Sequence, residues 1–448
     1  MRPGDRRDRA ALLHDARRSY RRRAFAVLWF GQFSAVAGLT VVVPLLPFYL
    51  AGLGVPEQDV AWWTGMSLAA PAVTQLIAAP LWGKVADRYG RKAMVVRAHA
   101  GLALAVGLMV LADTPGEFLA YRLLQGVCGG VVGATATFAS SLAPVRRRGR
   151  VLGGLFAAIS AGSLLGPLLG SLLAVEFGYG TLFGTVAGLL AVSSLLALVL
   201  LREPAAREHR ATAPAADVPP LRAVVGQLVR TVQGRHLLLA GLAGQAGVYA
   251  LLVVFAPRVG QITGSIAAAT VWVGALQAAT WAATFIGAPW WGYRNERHRP
   301  HFGFALAAAG CGLVVVLQAV PTAPEALLPL RIVQGFCFAT LAPTVLQVAS
   351  QLIPAQGRGT CMGFTQSVLD FGQVVGPLLG VLAAMLLPLP GAFTAIGLVF
   401  GLAAALAMRS ARATRRGTRS ASVVERADHD RPAVSPLAQK QVTQKQVT

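Results

Sequence analysis

The chain is 448 residues long, 55% hydrophobic and 13% charged, with mean hydropathy +0.59 and formal net charge +22. So few charges cannot cover a soluble protein of this size, which excludes a soluble enzyme and points to a membrane protein. The excess of arginine and lysine would suit nucleic acid, but it is confined to alternate connections between apolar runs, which excludes that partner.

In chain order, residues 1–23 form an Arg-rich polar tail with neither an apolar core nor a small-residue cleavage site, so no removable signal peptide is expected. Apolar runs of membrane-crossing length follow at 24–51, 60–82, 93–112, 117–143, 151–175 and 181–201. Residues 202–236, rich in Ala, Pro and Arg, read as a linker, with a short surface helix from Leu221 where apolar and basic residues alternate. A second set of runs occupies 237–257, 266–292, 301–320, 325–352, 360–387 and 392–408, before a polar tail at 409–448 that is expected to be disordered. The predicted bundles are therefore 24–201 and 237–408. Basic residues fill 17–23, 84–92, 146–150, 202–235, 294–299 and 409–419, with Arg358. The other connections hold Glu57, Asp59, Asp113, Glu117, Glu176 and Glu325, with Arg258 as the exception. That alternation puts both termini in the cytoplasm of a cell whose Arg and Ala usage suggests a bacterium.

A phrase is repeated along this frame. Arg122, Gln125 and Gly126 recur 209 residues later as Arg331, Gln334 and Gly335. Gly162, Gly166, Pro167 and Gly170 recur 210 residues later as Gly372, Gly376, Pro377 and Gly380. Pro80, Trp82 and Gly83 are answered by Pro289, Trp291 and Gly292, and Asp87-Arg88 by Glu296-Arg297. The chain is thus expected to be an all-α membrane protein with twelve transmembrane helices in two pseudo-symmetric six-helix bundles, the organisation of a duplicated transporter. Cys128, Cys311, Cys337 and Cys361 lie in apolar runs without metal-ligand spacing, so no metal site and no cofactor are expected. There is no His-Glu-x-x-His, phosphate loop or nucleophile elbow, so neither catalysis nor ATP drive is expected within the chain.

Three features carry chemistry. Asp370 is an acid well inside a span, about ten residues or ~15 Å from its start. Burying it costs several kcal/mol, which makes it a candidate proton site; the competing reading is a structural partner for Arg331. Arg122 and Arg331 lie a few residues inside their spans, where each either snorkels to the interface or tunes a proton site. Gly162, Gly166 and Gly170 share one helix face beside Pro167, the pattern of a close crossing and, in the functional reading, of a bendable seal between the halves.

These residues resemble the major facilitator superfamily, specifically its twelve-span drug:proton antiporter family. The loop Gly83-Lys-Val-Ala-Asp87-Arg88-Tyr-Gly90-Arg91-Lys92 is similar to the superfamily's G-x-L-A-D-R-x-G-R-K, with Val85 in place of leucine. Gly38, Pro44 and Pro47 resemble an exporter signature in span 1, Arg122-x-x-Gln125-Gly126 one in span 4, and the Gly162–Gly170 stretch the antiporter motif in span 5. The resemblance implies a gating loop in which Asp87 latches onto the start of span 11. It also implies a central cavity, for which Gln32, Gln125, Gln245, Tyr249, Gln334, Phe336 and Phe338 are the candidates. The implied function is a monomeric secondary exporter in the cell membrane, exchanging protons for amphipathic small molecules, either drug-like compounds or an endogenous metabolite such as a siderophore. Uptake by the same fold, or a receptor without flux, are the rival readings. One departure is that span 1 carries no acid: it offers Gln32, Ser34 and Thr40.

Overall fold

The computed structural model describes residues 3–142, 148–202, 220–297, 299–354 and 357–429, and among these there is no strand. The first half comprises α1 (Pro3–Gly52), α2 (Glu57–Tyr89), α3 (Arg91–Leu108), α4 (Pro115–Val127), α5 (Val131–Leu142) and α6 (Arg148–Leu200). A short helix, α7 (Leu221–Arg230), precedes the second half. That half comprises α8 (Val232–Thr263), α9 (Ile266–Arg297), α10 (Pro300–Leu317), α11 (Leu327–Phe338), α12 (Leu341–Gln351), α13 (Arg358–Leu386) and α14 (Leu389–His429).

Twelve crossings result. α4 with α5, and α11 with α12, each make one broken crossing. The 53 residues of α6 make two, because Gly178 at φ 81° and ψ 167° bends the chain between them. α1 packs along α6 in the first half as α8 packs along α13 in the second. Helix extends beyond the apolar runs at both ends of the chain: α1 begins at Pro3 and α14 continues to His429. Both extensions are rich in Arg and Ala, which favour helix where nothing else decides the conformation. Residues 203–219 and 430–448, within the expected linker and tail, lie outside the described residues.

Each half has its own core. In the first, Tyr49 packs against Phe118 and Phe183 with ring centroids 4.8 and 5.2 Å apart. In the second, Phe304, Phe393 and Phe400 are fully buried. The first core also takes in Val253 of α8 and Val381 of α13. The halves therefore meet at one end of the bundle, the end whose connections carry the acids, here called the acidic end; the other is the basic end.

Two glycines allow that meeting. A Cβ on Gly65 of α2 would collide with Val381 and lie 3.2 Å from the Pro377 carbonyl oxygen of α13. A Cβ on Gly274 of α9 would collide with Ser171 and lie 2.6 Å from the Pro167 carbonyl oxygen of α6. Gly65 and Gly274 are 209 residues apart, so one crossing is built twice.

Candidate functional site

Thr114 opens α4 with a capping box: its hydroxyl accepts from the Glu117 amide at 3.3 Å, and the Glu117 carboxylate accepts from the Thr114 amide at 3.3 Å. That start places Arg122 inside the bundle, 3% exposed. Its Nε donates to the Ser67 carbonyl at 2.9 Å and its Nη1 to Gln125 Oε1 at 2.6 Å. Arg331 of α11 is 2% exposed and repeats the pattern, donating through Nη1 to Gln334 Oε1 at 3.0 Å and through Nη2 to Gln277 Oε1. Its guanidinium lies 4.1 Å from the centre of the Phe255 ring, and its Nε has no partner among the described residues. Neither arginine snorkels, because each finds neutral acceptors within reach inside the bundle.

Side chains from neighbouring spans set the breaks in the two crossings. Trp82 Nε1 donates to the Val127 carbonyl at 2.6 Å, and Trp291 Nε1 to the Phe336 carbonyl at 2.8 Å. Thr74 Oγ1 donates to the Leu123 carbonyl at 2.8 Å, and Thr284 Oγ1 to the Gly335 carbonyl at 3.0 Å. Carbonyls freed where α4 gives way to α5 are taken by Arg97, which bonds the Cys128 and Gly129 oxygens at 3.2 and 3.1 Å and covers the Trp82 ring at 3.8 Å. Asn295, buried in α9, donates to Thr340 and Thr344 at 3.1 and 2.7 Å across the other break.

Between the halves lies a cavity of about 680 Å³. Arg122, Arg331 and Asp370 all line it, and so do the glutamines at 75, 125, 245, 277, 334, 366 and 373. Its wall continues with Tyr249, Trp281 and Phe338 and with apolar residues of α1 such as Leu39 and Val43. Gln75 of α2 and Gln366 of α13, both towards the basic end, are exposed, whereas the Gly65 and Gly274 crossings close the acidic end. The cavity is thus reached from the basic end.

Asp370 is not a partner of Arg331. Its Oδ1 accepts from Gln366 Nε2 at 2.9 Å and from Gln373 Nε2 at 3.0 Å, and among the described residues it pairs with no cation. The spacing 366–370–373 puts all three on one helix face, a pattern visible in the sequence that would have found both glutamines. Gln277 and Trp281 on α9 follow the same four-residue spacing.

Other candidates fall elsewhere. Gln32 is buried inside the first half, where it accepts from Thr135, and does not line the cavity. Phe336 packs on Trp290 and Trp291, with centroids 5.2 and 5.8 Å away, outside the cavity wall. Two residues of helix turn through about 200°, which separates it from Phe338.

The glycine stripes seal each half internally. Cβ atoms on Gly162, Gly166 and Gly170 would meet Phe33, Ala37 and Val41 of α1. Those on Gly372, Gly376 and Gly380 would meet Gln245, Ala246 and Ala250 of α8. Beside the stripes, the carbonyls of Pro167 and Pro377 and the side chains of Ser171 and Val381 meet the opposite half.

The stretch expected to form a loop is instead helical: Gly83 to Tyr89 are the last turns of α2, and only Gly90 separates it from α3. The side chain of Asp87 lies outside the described residues, and Arg88 is exposed with its guanidinium 5.5 Å from the Tyr89 ring. Gly90 precedes α3 at φ 93°, and Arg91 and Lys92 begin that helix.

Residues 28–278 and 237–443 match the sequence profile of the Major Facilitator Superfamily. This chain belongs to that superfamily. It is 35% identical to the Staphyloferrin B transporter of Staphylococcus aureus over 386 residues, covering 85% of this chain and 91% of that protein. It is 27% identical over 363 residues to the multi-drug resistance efflux pump PmrA homolog of Lactococcus lactis, covering 80% of this chain and 87% of that one. Among solved structures, a bacterial homolog of the human lysosomal transporter Spinster, inward-facing and unoccupied, superposes with TM-score 0.69 at 14% identity, over 88% of this chain and 97% of that one. The nucleoside transporter NupG gives TM-score 0.71 at 14% identity, over 88% and 99% of the two chains. These structures share the major facilitator fold. The resemblance to the drug:proton antiporter family is borne out, and the chain is a multi-span membrane transporter with bacterial relatives.

Proposed function

We propose that this chain exports small molecules, drug-like or endogenous, from the cytoplasm by alternating access, in exchange for protons taken up at Asp370. The observation that carries the reading is the cavity itself. It lies between two pseudo-symmetric halves, is closed at the acidic end and reached from the basic end, and holds a carboxylate without an ion partner among the described residues. The positive-inside pattern of the basic connections supports a cytoplasmic position for their end, from which substrate enters. A lone carboxylate beside water can load and release a proton as the halves rock around it. Relatives bearing the name of efflux pumps support the outward direction.

Asp370→Asn keeps the shape and the two glutamine contacts but cannot titrate. In reconstituted vesicles with an imposed pH gradient, uphill efflux should fall to the passive rate while the protein remains folded. Intact pH-driven accumulation by the variant sinks the assignment of the proton to Asp370.

A further inference from the structure

The cavity wall is largely apolar, yet its charged groups are mostly cationic. Two guanidiniums face it, both at least nine-tenths buried, and neither has a carboxylate partner among the described residues. Their only counter-charge in the cavity wall is Asp370, which two glutamine amides hold. Two buried atoms of residues in the cavity wall are also without a partner among the described residues: Arg331 Nε, a donor, and Gln245 Oε1, an acceptor. Unpaired buried polar groups in a wall are costly until a ligand completes them.

We propose that the transported molecule is a polar aminocarboxylate: carboxylates that neutralise Arg122 and Arg331, joined to an amine that meets Asp370. The inference deepens the exporter reading and rests on it for the role of the cavity. Arginine offers a fixed fork of donors that matches a carboxylate. Both arginines already spend donors on neutral glutamine oxygens, which hold the guanidiniums in place without cancelling their charge. The amine follows from exchange. Where proton and substrate exchange by direct competition for Asp370, a positive group of the substrate is the strongest competitor for that carboxylate. The groups facing Asp370 in the cavity, Gln366, Gln373 and Tyr249, leave that place to the substrate. A purely anionic ligand would help the proton bind instead of displacing it.

The test measures binding, independently of flux, by intrinsic tryptophan fluorescence in purified full-length protein, with Trp281→Phe identifying the part of the response that comes from the cavity wall. The probes are nitrilotriacetate, tricarballylate and tetraphenylphosphonium. The first has three carboxylates and an amine, the second three carboxylates and no amine, and the third is a lipophilic cation. Nitrilotriacetate should bind best. Arg122→Gln and Arg331→Gln should each weaken it about tenfold or more, while Arg331→Lys, which keeps the charge and guards against a folding defect, should restore part of the loss. Asp370→Asn should weaken nitrilotriacetate and spare tricarballylate. Binding of tetraphenylphosphonium alone, no response to any probe, or nitrilotriacetate binding that ignores both arginine variants overturns the proposal. Bound nitrilotriacetate that is never carried across a vesicle membrane would leave the ligand class standing and remove the exporter reading.

Discussion

At the scale of single residues, the arginines and their neighbouring glutamines are legible in the sequence, whereas their surroundings are not. Arg122 and Arg331 stand out because a charge in an apolar run is rare, and their register fixes them as a pair. What surrounds them depends on which helices touch, so Ser67, Gln277 and Phe255 are found only once the bundle is assembled. Gly130 is a residue whose role is purely backbone. It follows the break in the fourth crossing at φ 97°, and a Cβ there would meet only Arg97 Nη2 at 3.8 Å. Gly130→Ala therefore has room but the wrong conformation, and should destabilise the protein by about 1–3 kcal/mol. Thermal unfolding in detergent checks this; an unchanged midpoint means that the break relaxes freely.

At the scale of elements, hydropathy located the crossings well, because a bilayer demands runs of a set length. It missed the breaks between α4 and α5 and between α11 and α12, since the spans there remain apolar and the interruption comes from side chains of neighbouring spans. The glycine stripes make close crossings, and their partner is α1 or α8 within the same half. Periodicity shows that a face is small; it does not show what lies opposite. Gly166→Leu should separate α1 from α6, because a Cβ at that site already lies 2.5 Å from the Ala37 carbonyl oxygen. Gly153→Leu on the same helix meets nothing within 4 Å and serves as the control. The first variant should lose most folded protein and transport, and the second should keep both. Equal yields from the two would show that the stripe packs loosely.

At the scale of the whole molecule, the duplication shapes both halves, while the acid of the cavity wall belongs to one. Arginines, tryptophan clamps and glycine crossings occur in both halves, but Asp370 answers to Ser160 in the first. The repeat was plain in the sequence; the contact between the halves was not, because Gly65 and Gly274 are unremarkable until their partners are known. Gly65→Leu should hold the acidic ends of α2 and α13 apart and shift the population towards the state open at that end. Spin labels on those two ends should report a longer distance, and an unaltered distance would reject the crossing as a gate. Each crossing sets a glycine against a carbonyl oxygen and one uncharged side chain, Val381 or Ser171, with no group to ionise and no charge for salt to screen. Acidity and ionic strength on that side of the membrane therefore have no handle on the closure itself. Any response of flux to them reports on the ligand and the carboxylate within, so kinetics recorded from that side read the interior chemistry without correction for the door.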